Sequence, residues 1–186
     1  MSSPSDPIDQ DKQRVEEYEY SPNADPVSYQ RYPTNIANPG PAGTLSFGAT
    51  IFILSLYNLN ARGVHAPNLV VGMAIFAGGL TQFIAGMWEF PRGNVFGATS
   101  FASYGAFWLS YATINIPASG IIASFSSEEE FHNAQGIYLA TWTIISVFFL
   151  LAVIRRHVAF SVVYLCAILA FALLSATEFT GSIKYV

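Results

Sequence analysis

Five apolar segments, residues 43–59, 68–88, 95–116, 134–154 and 158–177, occupy most of the chain beyond its first few dozen residues. Each is close to the roughly 20 residues a helix needs to cross the hydrocarbon of a bilayer. Only 11% of the 186 residues are charged, where an ordinary soluble domain carries about 25%. The connections between segments are short. The expected architecture is therefore an all-α membrane protein, with five recognisable transmembrane helices in one bundle spanning residues 37–186.

Residues 1–36 have a different character, rich in Pro, Ser, Asp, Glu and Tyr with almost no apolar run. Such a segment cannot bury enough apolar surface to order itself, and it lacks the basic start and apolar core of a secretory signal. It is expected to be a disordered cytoplasmic tail. Ser2, Ser3, Ser5, Ser21 and Ser28 are either phosphorylation sites or unmodified. Lys12, Arg14, Arg31, Arg92, Arg155 and Arg156 fall in the tail, second loop and fourth loop, against Arg62 and Lys184 on the other side. That bias places the N-terminus in the cytoplasm, and five spans then leave the C-terminus outside.

The run Asn38-Pro39-Gly40-Pro41-Ala42-Gly43 opens the first apolar segment. Each X-Pro step biases the preceding residue toward extended backbone, so the first helix is expected to start from a rigid, partly unwound stretch with uncommitted N–H groups. Uncommitted N–H groups at membrane depth have to be buried in protein or lined by water, and helix N-termini suit anions. A pore or binding site for a small anion follows.

In the second segment Gly72, Gly79 and Gly86 recur every seven residues, with Ile75, Gln82 and Glu89 completing a seam on one helix face. Glycines allow close helix packing. Gln82 is a mid-membrane carboxamide that must find a partner or water, either lining a pore or bonding another helix. Glu89, near Arg92 at the membrane edge, is either a paired helix-end carboxylate or a proton-linked group at a pore mouth. Phe101, Tyr104, Trp108 and Tyr111 form an aromatic stripe on the third segment, and Asn38 and Asn94 stand where they can cap the first and third helices. Glu178 reads as the boundary of the fifth helix. Cys166 is a lone cysteine inside the fifth segment, so packing is its expected role. His65, His132 and His157 are too scattered for a metal site, and there is no nucleophile–base pairing, phosphate loop or basic stripe. Neither an enzyme, a cofactor nor a nucleic-acid partner is expected.

The run NPGPAGTLSFG resembles the signature of the acetate uptake transporter family, which takes in bacterial succinate–acetate permeases and fungal ammonia-transport-outward proteins. Further similarity runs through AIFAGGLTQ from Ala74, GNVFG from Gly93, FASYGAFW from Phe101 and NAQGIYL from Asn133. The resemblance implies transport of acetate and related small monocarboxylates across the plasma membrane, proton-coupled, through a narrow pore within each subunit of a homo-oligomeric, hexameric ring. It implies a substrate path past Asn38, Gln82 and Asn94, and a constriction from Phe47, Tyr104 and a leucine of the fifth helix. Alignment puts Ala167 at that third position, so Leu165, close by, is taken as the candidate. The family has six membrane helices with both termini cytoplasmic, whereas this chain stops at Tyr185-Val186, where the connection to a sixth would begin. The alternative is a truncated, non-transporting subunit that regulates or senses acetate. A tetraspanin-type scaffold would show cysteines in its long loop, and the stretch 117–133 has none. An ammonium carrier would show a clear cation site, and none is visible.

Overall fold

The computed structural model describes residues 36–181; the expected tail, with its serines and cations, and Lys184 lie outside the described residues. Five long helices follow one another: α1 Gly40–Asn58, α2 Pro67–Glu89, α3 Val95–Asn115, α4 Glu128–Val153 and α5 Val158–Thr180. Four of them are long and apolar enough to cross a membrane. The other, α3, is 21 residues long, the length of a span, but carries more hydroxyl and aromatic side chains. The protein is thus an all-α, multi-pass membrane protein.

The start of α1 differs from expectation. The prolines do not unwind it: Pro39 is the N-cap residue and Pro41 lies in the first turn, where no backbone donor is required. Two of its N–H groups are committed, Gly40 donating to Asn38 Oδ1 at 2.9 Å and Gly43 to the Pro39 carbonyl at 3.1 Å. Helix α4 begins at Glu128 rather than near 134. Ser127 Oγ accepts from the Glu130 N–H at 3.1 Å, and the Glu130 carboxylate accepts from the Ser126 N–H at 2.9 Å. This reciprocal cap, with three acids facing the positive end of the helix dipole, extends the helix beyond the apolar run.

Helix α2 is not uniform. A 3₁₀ turn, Pro67–Leu69, leads into α-helix over Val70–Met73, a π-helical stretch over Ala74–Thr81, and α-helix again over Gln82–Glu89. The Thr81 hydroxyl bonds the Phe76 carbonyl, five residues back, at 2.8 Å. A π turn takes in extra residues, so the predicted glycine seam slips. Gly79, Gln82, Gly86 and Glu89 are buried, whereas Gly72 is exposed with open space around it, and Val70 and Ala74 take its place inside.

Helix α3 is the hub. Its buried aromatics Tyr104, Phe107 and Trp108 join Leu139 and Val153 of α4 and Tyr164 and Phe171 of α5 in one core. Close contact with α2 depends on glycines: a Cβ at Gly86 would lie 2.7 Å from the Ala102 nitrogen, and one at Gly105 would lie 2.8 Å from the Phe83 nitrogen. Leu45, Phe76, Phe148, Leu151 and Leu173 are exposed, as lipid-facing side chains are.

Candidate functional site

A cavity of about 450 Å³ lies between α1, α2, α3 and α5. Alternation of the helices puts the starts of α1, α3 and α5 at one end of the bundle, and the cavity occupies that half. Phe47 from α1 and Tyr104 from α3 meet there edge to face, ring centres 5.4 Å apart. Gln82 lines the same cavity from α2. Its side chain is buried, and Oε1 has no hydrogen-bond partner.

The hydroxyls of the two tyrosines bond to serines on neighbouring helices. Ser146 gives its proton to the Trp142 carbonyl at 2.7 Å, which leaves its oxygen to accept from Tyr104 Oη, also at 2.7 Å. Tyr164 of α5 stacks on Tyr104 with centres 6.0 Å apart and bonds Ser100 of α3. These bonds fix the aromatic wall to three helices, so the Phe47–Tyr104 contact is held rather than loose. On the α5 side, Ala167 lines the cavity, whereas Leu165 is exposed and does not. The small side chain leaves the third side of the expected constriction open.

Asn38, Glu89 and Asn94 come together at the end of the bundle, outside the cavity lining. Arg92 Nη1 donates to Asn38 Oδ1 at 2.7 Å and to Glu89 Oε2 at 3.1 Å; Asn94 Nδ2 donates to Glu89 Oε2 at 3.0 Å. Asn94 also caps α3, its Oδ1 accepting from the Gly97 N–H at 3.1 Å. Glu89 is only 1% exposed, so its carboxylate is compensated by these donors, as a buried charge must be. The group ties the start of α1 to the α2–α3 connection.

At the opposite end, Glu178 is more than a helix boundary. It accepts from His132 Nδ1 at 2.7 Å and Gln135 Nε2 at 2.9 Å, clasping α5 to α4. Spacing of three puts His132 and Gln135 on one helix face, a signal present in the sequence. Tyr164 was also findable, since a phenol inside an apolar run needs a partner for its hydroxyl. Ser100 and Ser146 gave no such signal, because a helical serine can satisfy itself on its own preceding turn.

The profile of the GPR1/FUN34/yaaH family matches residues 20–186. The chain belongs to this family. Among relatives, accumulation of dyads protein 2 of Saccharomyces cerevisiae is 42% identical over 78% of this chain and 52% of its own length. The succinate-acetate/proton symporter SatP of Escherichia coli is 33% identical over 80% of the chain and 76% of its own length. The solved structure of the bacterial acetate channel SatP matches with a TM-score of 0.69 at 31% identity, covering 80% of this chain and 78% of that one. The chain spans about half the length of the fungal relatives it matches. The cavity and its aromatic wall are built from residues of this one chain.

Proposed function

We propose that this chain conducts acetate and related small monocarboxylates across the plasma membrane, through a path inside each subunit. The observation that carries the reading is the meeting of Gln82, Phe47 and Tyr104 at one cavity. Phe47 and Tyr104 act as the constriction that excludes larger solutes, with Ala167 on the third side. Gln82 supplies the polar contact within. Asn38 and Asn94, held by Arg92 and Glu89, shape the mouth where a solute enters or leaves. Glu89 is the candidate for a proton-linked role, and proton coupling is supported by the symporter name that the E. coli relative carries. The N-terminus faces the cytoplasm, consistent with Arg92, Arg155 and Arg156 at the mouth end and Arg62 at the other. The subunits assemble as a homo-oligomeric ring, their exposed apolar faces covered by lipid and by one another.

The test is labelled-acetate uptake into vesicles holding the purified chain alone, measured against empty vesicles. Saturable uptake in the unmutated chain, with selectivity against longer acids lost in Phe47→Ala and Tyr104→Ala, is the expected result. Correctly inserted protein without uptake ends the transport reading.

A further inference from the structure

We propose that Trp108 closes the inner end of the cavity and donates its indole N–H to the carboxyl group of a solute moving past the Phe47–Tyr104 contact; this rests on the transport reading above. The first observation is a repeated layer. Phe47, Gln82 and Tyr104 come from three helices and line the cavity together. One turn farther from the mouth on each of those helices stand Thr50, Gly78 and Trp108, since residues three and four apart share a helix face. These three meet: a Cβ at Gly78 would lie 2.7 Å from Trp108 Cγ, 2.8 Å from Trp108 Cδ1 and 3.0 Å from Thr50 Oγ1. All three are buried and none lines the cavity, so the second layer is closed. A long side chain in a helix leans back over the turn before it, which carries the Trp108 indole toward Tyr104 and the cavity.

The second observation is an unpaired donor. Hydrogen-bonding groups are available on the mouth side, where the Thr44 hydroxyl, the Gln82 carboxamide and the Ser100–Tyr164 pair all line the cavity. In the second layer Thr50 has given its proton to the Ser46 carbonyl at 2.8 Å, and Gly78 has no side chain. Trp108 Nε1 remains, in a side chain only 2% exposed, a donor that no group among the described residues accepts. A buried indole N–H usually has a partner, and an unmet donor at membrane depth is costly. A carboxyl oxygen accepts in either protonation state, so the solute brings the missing partner when it reaches the layer. The closed layer thus yields more readily to a carboxyl solute than to an apolar one of the same size.

The experiment is an acetate titration of the reconstituted chain, read by indole emission and by labelled-acetate uptake. The chain has three tryptophans, Trp88, Trp108 and Trp142. The unmutated chain is expected to show a saturable red shift, half complete near the acetate KM of uptake, as an indole N–H gains an acceptor. Trp88→Phe and Trp142→Phe should keep the shift, and Trp108→Phe should lose it. Trp108→Phe retains a ring but no donor, so its Vmax/KM for acetate should fall about tenfold, the size of one lost hydrogen bond. Uptake that proceeds with no acetate-dependent change in emission overturns the inference alone, and so does a persisting shift or an unaltered Vmax/KM in Trp108→Phe. Absence of any uptake by the unmutated chain overturns the transport reading, and this inference with it. If Trp108→Phe does not fold, the shift in the unmutated chain and its persistence in the other two variants still decide the question.

Discussion

Gly86 is the position where one methyl group should do most harm. An added Cβ would meet the Ala102 nitrogen at 2.7 Å, the Ala98 carbonyl oxygen at 2.9 Å and Ala102 Cα at 3.2 Å, all backbone atoms of α3. Backbone inside a helix cannot swing aside, so α2 itself must withdraw. Reaching the 3.4 Å at which ordinary contact begins needs about 0.7 Å. Overpacking of this kind costs about 1–3 kcal/mol, and at about 2–4 °C per kcal/mol the Tm of Gly86→Ala falls by a few degrees to about 10 °C. Gly72 is the control, fourteen residues earlier in the same helix, exposed, and with nothing within 4 Å of an added Cβ. Gly72→Ala gains helix propensity worth up to about 1 kcal/mol and should be neutral or stabilising. The assay is thermal unfolding in detergent followed by circular dichroism at one scan rate, with acetate uptake in parallel, since Gln82 lies one turn from Gly86. If Gly86→Ala melted within a degree of Gly72→Ala, Gly86 would not stand against the α3 backbone.

Tyr104→Phe keeps the ring against Phe47 but removes the bond to Ser146; size selectivity should persist, with a stability loss of about 0.6 kcal/mol, typical of one interhelical bond in a membrane. A selectivity change as large as that of Tyr104→Ala would show that the hydroxyl, not the ring, forms the constriction. Glu178→Ala strands the His132 and Gln135 donors and should cost about 1–3 kcal/mol, read by the same melting assay, with Tm unchanged counting against the clasp. Glu89→Gln retains the shape of the group that holds Asn94 and Arg92 but removes its charge. Acetate uptake by this variant should lose much of its dependence on external pH, and an unaltered profile removes Glu89 from any proton path.

Much of this architecture was legible because the bilayer demands long apolar runs: all five helices lie where the segments stand. Gln82, Phe47 and Tyr104 were legible as candidates from three different helices, but their shared cavity depends on how those helices rotate, which no single segment encodes. The prolines before α1 misled because the rules that bar proline from a helix interior welcome it in a first turn. The acids Glu128–Glu130 looked like a loop by hydropathy, although with Ser127 they carry the chemistry of a helix start. Asn38 has the position of a cap and, by resemblance, of a ligand. In the fold its oxygen already receives two donors, Gly40 and Arg92, and it belongs to the frame of the mouth.

The π stretch of α2 explains why Gln82 faces inward, and it leads to a prediction of unusual sign. Turning 100° per residue from the buried Val70, an unbroken α-helix would present Ala77, Thr81 and Trp88 to the core, with Gln82 about 120° and Gly86 about 160° away. Thr81 and Trp88 are exposed instead, while Gln82, Gly86 and Glu89 are buried. The extra residue taken up over Ala74–Thr81 supplies that rotation. Deleting Leu80, itself 44% exposed, should therefore leave the helix regular and both halves in phase, with Gln82 about 20° and Glu89 about 0° from Val70. A one-residue deletion in a uniform α-helix rotates everything beyond it by about 100°; deleting the exposed Ala106 from α3 should do that and prevent folding. Comparing folded yield by size-exclusion chromatography separates the two. Equal loss for both deletions would mean that the π turn does not set the phase of α2; survival of the Leu80 deletion alone would show that Gln82 owes its place in the cavity to one added residue.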